Sequence, residues 1–388
     1  MTTQVEYRRL GKTGLRVSNP MLGGMSFGSV EWSGPWMLEE EKAFEVLKAA
    51  WDKGINTIDT ANIYSNGISE RIIGNFIKKY QIPRSEFVIA TNCYHVVAKT
   101  PGTSTVLQPQ PQDELDYDYQ AAGLSRAAIF NAVDASLERL RTSYIDILQV
   151  HGYDLKTKPE ETMEALHDLV ESGKVRYIGA SSMRTWQFAL LNEIAEKRGW
   201  TKFVSMQPEY SLLYREEERE MLAYCKYNGI GVIPWAPLAG GDLCRPLGAQ
   251  TPRRKVRKGT PFDKKYTEAD KIIISRVEEI SKKHGKKMSQ VALAWVSSKI
   301  TSPIVGANSV TKLEESLIQG FELTEDEVKY LEEPYVPKPV RAHAQATLGA
   351  AATLRGAKFK WMHCLLSRWN VGVSNDQIRH SSSPKVNA

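Results

Sequence analysis

The strongest constraint on the fold is an alternation of short apolar runs with amphipathic stretches. It is repeated eight times between about residue 20 and residue 320. In the first unit PMLGGMSFG precedes LEEEKAFEVLKAAWDKG, where Phe44, Leu47 and Trp51 recur at helical spacing. Strands that alternate with helices indicate an α/β fold with a parallel sheet, and buried parallel strands read as near-continuous apolar runs. Eight such units favour a closed (β/α)8 TIM barrel over an open doubly wound sheet.

A glycine-rich dinucleotide fingerprint is absent after the first predicted strand, because no GxGxxG occurs there. The composition, 42% hydrophobic and 25% charged, is that of an ordinary globular protein. The sequence holds no run of roughly 20 apolar residues and no apolar segment at the N-terminus, so we expect a cytoplasmic protein without a membrane span. Four cysteines without a CxxC pair argue against a disulfide framework and against a metal site.

The net charge of +6 is concentrated at the C-terminus, where residues 342–388 hold six basic side chains and one acidic side chain. The rest of the chain carries 45 basic and 44 acidic side chains, which gives no indication of a nucleic-acid surface. We therefore predict a barrel domain over residues 1–341 and a basic, irregular extension over 342–388. Two interpretations of the extension stay open: a poorly ordered tail, or an amphipathic helix over 348–369 that contacts a membrane surface or a partner.

Two long loops interrupt the alternation, residues 95–123 after the third barrel strand and residues 242–266 after the seventh. Both follow strand C-termini, which is the face where barrel enzymes place their active sites. Each loop is either an ordinary surface loop or a functional one. The functional interpretation is a substrate lid for the first loop and a segment that covers a cofactor for the second.

Polar side chains cluster at the predicted C-terminal ends of the strands. In a parallel barrel these ends converge on one mouth. A carbonyl reductase needs a proton donor near the carbonyl oxygen, and a tyrosine hydroxyl with a histidine beside it can supply one. The residues at these ends are Asp59, Tyr64, Asn92, Gln149, His151, Ser181, Ser182, Gln207 and Trp235.

Several separated motifs resemble those of the aldo-keto reductases and occur in the same order. They are DTANIYSNGISERIIG from Asp59 to Gly74, His151, GASS at 179–182, MQPEYSLLYREEERE at 206–220, IPWAPLAGG at 233–241 and SPIVGANSVTKLEES at 302–316. The resemblance covers about residues 6–336 and is strongest to fungal-type, aryl-alcohol dehydrogenase-like members. YRRLGKTGLRVS resembles the N-terminal β-hairpin that closes the bottom of the family's barrel.

The resemblance implies an NADP-dependent reduction of a small carbonyl compound, either an aldehyde or a ketone. Intermediates of secondary metabolism are among the candidate substrates. Tyr64 would be the general acid, His151 would orient the carbonyl, and Asp59 would be the buried carboxylate of the catalytic tetrad. Residues implied to bind the cofactor are Ser181, Ser182, Gln207, Trp235, Ala236, Leu238, Gly240, Asp242, Gly306, Asn308, Ser309, Lys312 and Ser316. A lysine at position 312, near a predicted helix N-terminus, favours NADP over NAD because it complements a phosphate.

One departure from the family pattern concerns the fourth catalytic position. The family has a lysine at the end of the third strand, whereas this sequence has Asn92 in the run ATNC. Asn92 carries no charge, so Asp59 would be partly protonated or paired with Asn92, and the activity would fall. An alternative function follows: an NADP-binding barrel, catalytically impaired, with a regulatory or scaffold role. An unrelated barrel enzyme, such as a phosphate-binding isomerase, would require the motif matches to be chance.

Overall fold

The computed structural model describes residues 5–100, 102–103, 122–249, 256 and 265–341, and its strands form two sheets. Strands β1 (Glu6–Arg9) and β2 (Arg16–Asn19) pair antiparallel, which confirms the predicted N-terminal hairpin. Eight parallel strands form the second sheet: β3 (Met21–Gly23), β4 (Thr57–Ala61), β5 (Val88–Cys93), β6 (Ile145–Val150), β7 (Val175–Ser181), β8 (Ser205–Gln207), β9 (Gly231–Val232) and β10 (Ile304–Gly306).

The second sheet runs in the order β10-β3-β4-β5-β6-β7-β8-β9, and its two edge strands meet. The Ile304 amide donates to the Pro234 carbonyl at 3.0 Å, and the Ser302 amide donates to the Val232 carbonyl at 3.3 Å. These bonds join the chain around β9 to the chain around β10. The sheet is therefore a closed (β/α)8 barrel, as the eightfold alternation predicted.

Helices pack around the barrel with apolar residues buried. They are α1 (Val30–Ser33), α2 (Glu40–Asp52), α3 (Ile68–Lys79), α4 (Arg126–Leu140), α5 (Pro159–Glu171), α6 (Thr185–Arg198), α7 (Met221–Asn228), α8 (Glu268–His284), α9 (Met288–Ser297), α10 (Val310–Glu314) and α11 (Glu325–Glu332). Phe44 of α2 and Phe76 of α3, for example, pack in one buried cluster with Ile58 of β4. Burial of this apolar area, at about 25 cal/mol per Å², is the main favourable term for folding.

The hairpin closes the bottom of the barrel. Leu10, in the turn between β1 and β2, is fully buried in a cluster with Ala90, Ile147, Ile233 and Ile304, which come from four different parts of the barrel wall. The Lys12 amide also donates to the Gly229 carbonyl at 2.8 Å, which ties the hairpin to the chain before β9. The end of the barrel opposite the mouth is therefore sealed by an apolar side chain.

Several sequence predictions fall on residues outside the described ones. They concern residues 104–121 of the loop after the third barrel strand, 250–255 and 257–264 of the loop after the seventh, and the extension over 342–388. The lid, the cofactor-covering segment and the tail therefore stay predictions. Within the described ranges, no helix combines the length and the apolar content that crossing a membrane would require.

Candidate active site

A layer of polar side chains lies inside the barrel toward the mouth, above the apolar cluster around Leu10. It consists of Asp59 on β4, Asn92 on β5, Gln149 on β6 and Gln207 on β8, and each is at most 3% exposed. Asn92 and Gln149 are register partners on neighbouring strands, so their side chains leave the sheet on the same face. The sequence placed these residues at one rim, and the structure brings them into one hydrogen-bonded group.

Asp59 is held by two amide side chains. Gln207 Nε2 donates to Asp59 Oδ1 at 2.7 Å, and Gln149 Nε2 donates to the same oxygen at 3.1 Å. Among the described residues no basic side chain forms an ion pair with this carboxylate. Burial raises the pKa of Asp59 to about 7, and the two amide hydrogen bonds offset only part of that rise. Asp59 is therefore partly protonated near neutral pH.

Asn92 reaches Asp59 only through Gln207, because Asn92 Nδ2 donates to Gln207 Oε1 at 3.3 Å. The sequence-based alternative in which Asn92 pairs directly with Asp59 is wrong, because the two glutamine amides take that place. Asn92 Oδ1 and Gln149 Oε1 are buried and accept no hydrogen bond from any described residue. A neutral amide thus stands at the position where the family has an ammonium group.

The turn after β4 places Tyr64 at the mouth. Ser65 and Asn66, directly after Tyr64, have φ angles of 49° and 50°, so the chain turns sharply there. Gly67 follows at φ 90°, and a β-carbon at this position would lie 2.5 Å from the Arg139 side chain. The glycine of the family motif is therefore required by both backbone conformation and space.

Two polar residues of the same motif anchor α3 to the barrel behind this turn. Ser69 Oγ donates to the Gly24 carbonyl at 2.8 Å. Glu70, fully buried, accepts from Thr91 Oγ1 at 2.7 Å and from Arg139 Nε at 2.6 Å. Since Thr91 precedes Asn92 on β5, the Thr91–Glu70 hydrogen bond links α3, which follows the Tyr64 turn, to the strand that carries Asn92.

His151 follows β6 and lies next to Tyr64, with ring centroids 6.1 Å apart and planes at 74°. The His151 amide donates to the Cys93 carbonyl at 2.9 Å, which fixes its backbone against the end of β5. Burial, and secondarily the nearby His95 ring, hold the pKa of His151 well below its usual range. The ring is thus neutral at physiological pH, and its buried Nδ1 has no hydrogen-bond partner in the described part of the chain.

The predicted nicotinamide-binding residues meet beside the polar layer. Ser181 Oγ donates to the Gln207 carbonyl at 2.8 Å, and Trp235 Nε1 donates to Ser182 Oγ at 3.1 Å. Ser182 has a φ angle of 49°, so its backbone leaves β7 in the left-handed region. These bonds hold the Trp235 indole against the ends of β7 and β8. Both ends of the Gln207 side-chain amide are already engaged, by Asp59 and by Asn92.

The loop after Trp235 presents a curved backbone. Ala236, Ala239 and Gly240 have φ angles of 54°, 52° and 77°, and a short 3-10 turn begins at Asp242. Successive residues in the left-handed region turn backbone N–H groups to one side, which is a geometry suited to phosphate oxygens. Leu238 lies partly buried within this curve and Leu243 is fully buried behind it. The residues present therefore fit a pyrophosphate.

The predicted phosphate-binding residues gather at the start of α10. Ser309 caps this helix by accepting from the Lys312 amide at 3.3 Å, and Ser316 Oγ donates to the Lys312 carbonyl at 2.8 Å. The Lys312 ammonium donates to Asn308 Oδ1, and Asn308 lies two residues after Gly306, the last residue of β10. Burial, and then repulsion from Arg245, lower the pKa of Lys312. Two cations that repel each other would both be stabilised by a bound phosphate.

Two residues of the site, Arg245 and His95, were not among the candidates that the sequence analysis named. Arg245 and His95 stand in the two long loops, where no periodicity exists to predict the direction of a side chain. The structure is therefore needed to bring His95 to His151 and Arg245 to Lys312.

Comparisons with known proteins agree with one another. The profile of the Aldo/keto reductase family matches residues 21–335. An aldo-keto reductase of Fusarium vanettenii is 51% identical over 88% of this chain and 94% of its own length. The versiconal hemiacetal acetate reductase of Aspergillus parasiticus is 49% identical over 87% of this chain and 98% of its own length. A Schizosaccharomyces pombe protein named for an inferred aryl-alcohol dehydrogenase activity is 47% identical over 86% of this chain and 97% of its own length.

Proposed function

The chain belongs to the aldo/keto reductase family, and on that premise we propose that it uses NADPH to reduce an aldehyde or ketone to an alcohol. The observation that carries the proposal is the Tyr64–His151 pair, with ring centroids 6.1 Å apart at the mouth of the barrel. A phenol and a neutral imidazole in contact offer two hydrogen-bond donors to one carbonyl oxygen.

The cofactor part of the proposal rests on the curved backbone after Trp235 and on the cations near α10. Bound NADPH would supply a hydride to the carbonyl carbon. Trp235 and Ser182, fixed by their 3.1 Å hydrogen bond, would hold the nicotinamide end. Lys312 and Arg245 would bind the 2′-phosphate, which NADH lacks, because a charge-assisted contact to phosphate is stronger than a neutral one.

The proton part of the proposal rests on the polar layer. As negative charge develops on the carbonyl oxygen, Tyr64 would donate its hydroxyl proton and His151 would donate a hydrogen bond to the same oxygen. A family lysine would favour the tyrosinate that results, whereas Asn92 offers only a neutral amide at that position. General acid assistance is typically worth about 10²–10⁴-fold, so we expect a slow but measurable reductase.

Asn92 also supports a second candidate function, an NADP-binding barrel with a regulatory or scaffold role. The supporting observation is that Asp59 is paired with two glutamine amides and, within the described residues, with no cation.

The substrate of the leading candidate would be an aryl or other secondary-metabolite carbonyl, since the relatives include a protein named as a versiconal hemiacetal acetate reductase. A β-carbon added at Gly152, beside His151, would meet no atom within 4 Å, which leaves room for a bulky group.

The test uses the full-length chain. NADPH and NADH are titrated by fluorescence, and NADPH oxidation is followed with reactive aromatic aldehydes, with Tyr64→Phe as the matched control. Turnover that exceeds that of Tyr64→Phe by at least about tenfold, with tighter binding of NADPH than of NADH, supports the reductase. NADPH binding with turnover equal to that of Tyr64→Phe favours the regulatory barrel. A chain that binds neither nucleotide contradicts both functions.

A further inference from the structure

A second histidine lies against the carbonyl-orienting histidine. The His95 and His151 rings have centroids 5.0 Å apart, with planes at 63°, in an edge-to-face contact. Tyr64 contacts the His151 ring as well, with centroids 6.1 Å apart. His151 is thus flanked by one residue with an assigned role, Tyr64, and by one that neither the resemblance nor the proposed mechanism uses.

The backbone brings His95 to this position by an unusual route. Tyr94, directly before it, has a φ angle of 150°, a value that side-chain-bearing residues rarely adopt. The Tyr94 carbonyl accepts from the Gly123 amide at 2.8 Å, which holds this conformation from the far end of the loop. Strained backbone of this kind persists where surrounding contacts over-determine it, and it is frequent at functional sites.

The segment that carries His95 is also tied to the Tyr64 turn. Asn66 Oδ1 accepts from the Ala98 amide at 3.1 Å, and Asn66 Nδ2 donates to the carbonyls of Thr100 and Thr103 at 2.9 and 2.8 Å. Asn66 lies two residues after Tyr64. One side chain therefore couples the placement of Tyr64 to the placement of His95.

From this geometry we propose, on the basis of the proposed reductase function, that His95 is a positioning residue for the carbonyl site: its ring holds the His151 ring in place and shields it from water. His95 itself need not touch the carbonyl. Its role is to keep His151 in one orientation, as a hydrogen-bond donor to the carbonyl oxygen. Such a role matters most in a chain with Asn92, where the position of the family's lysine carries no charge.

The electrostatics of the pair agree with this role. Burial lowers the pKa of His95 to about 4, and burial together with the His95 ring lowers the pKa of His151 further. Among the described residues, no other titratable group contributes to either shift. Tyr64 and Tyr94 also contact the pair, through ring edges. Removal of the His95 ring would remove the smaller cause and would admit water to the His151 ring, so the pKa of His151 would rise toward its ordinary value of about 6.5.

Three variants separate the roles of the His95 ring. His95→Ala removes the ring, His95→Phe keeps an aromatic ring without nitrogens, and His95→Gln keeps a polar group without a ring. In the full-length chain, His151 is followed by NMR of its imidazole resonances between pH 4 and 8, with NADPH affinity as a control for folding. We expect His151 to titrate above pH 5 in His95→Ala and His95→Gln, and to stay neutral over this range in wild type and in His95→Phe.

Kinetics supply the second readout. We expect kcat/KM of His95→Ala to fall about tenfold, with a new acid limb in its pH profile, and His95→Phe to keep most of the wild-type value. If His151 titrates identically in wild type and His95→Ala, the proposal is overturned. If wild type binds NADPH without turnover, the reductase function fails, and the NMR titration still decides whether His95 shields His151.

Discussion

Gln207 donates a hydrogen bond to Asp59 at 2.7 Å and at the same time accepts one from Asn92 at 3.3 Å. A barrel-interior carboxylate that the family pairs with a lysine is here bound by a neutral amide, and a second neutral amide stands at the lysine position. The polar layer is therefore an amide network around one titratable acid. Its charge depends on pH rather than on a permanent cation.

Restoring the lysine tests the cost of this arrangement. Asn92→Lys places an ammonium group beside Asp59, which favours the ionised carboxylate and stabilises a developing tyrosinate at Tyr64. We expect kcat/KM for an aromatic aldehyde to rise by about 10- to 1000-fold, within the range of general acid assistance. Asn92→Gln, which has similar polarity and no charge, serves as the control. Equal rates for the two variants would show that charge at this position is irrelevant.

Asp59 makes stability depend on pH. Its pKa is raised from 3.8 to about 7 on folding, so the folded chain binds a proton between these values that the unfolded chain has lost. The free energy of unfolding therefore falls as pH rises through this window, with a slope that approaches about 1.4 kcal/mol per pH unit. Asp59→Asn mimics the protonated form and should reduce the slope, to which Glu217, whose pKa burial also raises to about 7, contributes in the same window. Urea unfolding of wild type and Asp59→Asn at pH 4.5, 5.5, 6.5 and 7.5 measures the two slopes. If the free energy of unfolding depends on pH equally in both proteins, the raised pKa of Asp59 is contradicted.

The cofactor preference should depend on the cations near α10. Lys312→Ala and Arg245→Ala each remove one of two charges that repel each other in the described structure. We expect each to raise the Kd for NADPH by about tenfold, equivalent to about 1.4 kcal/mol, and to leave the Kd for NADH unchanged. Lys271→Ala, on the exposed face of α8, is the matched control. A similar rise in the Kd for NADH would show that these cations do not bind the 2′-phosphate.

Breaking the Glu70–Arg139 ion pair should lower stability far more than breaking a surface pair does. The Glu70 side chain is fully buried and Arg139 is 12% exposed, so removing one partner strands the other charge. We expect Arg139→Met to lower the free energy of unfolding by about 3–5 kcal/mol. The double variant with Glu70→Gln should recover part of that loss. Glu193→Gln, at an exposed pair with Lys197, should change stability by less than about 1 kcal/mol. A similar decrease in the free energy of unfolding at both pairs would contradict the difference expected between a buried and an exposed ion pair.

The barrel could be predicted from sequence because its strands and helices have distinct apolar periods. The polar layer could be predicted in part, since strand ends converge at one rim whatever the side chains do. The hydrogen bonds within it could not: whether Asn92 or Gln207 reaches Asp59 depends on side-chain length and on the offset between strands. His95 and Arg245 were missed for another reason, because irregular loop backbone, such as Tyr94 at φ 150°, has no sequence period.

The closure of the barrel bottom by Leu10 has a kinetic consequence. Because Leu10 closes one end of the barrel, the interior opens to solvent only at the mouth. Both reactants of the proposed reaction would therefore use the same opening. Ser181, proposed for the nicotinamide, is the last residue of β7, whereas Gly152 and His95 lie in the loops after β6 and β5. A carbonyl compound bound first would stand in the path of the dinucleotide. Steady-state kinetics should therefore be ordered, with the nucleotide first to arrive and last to depart.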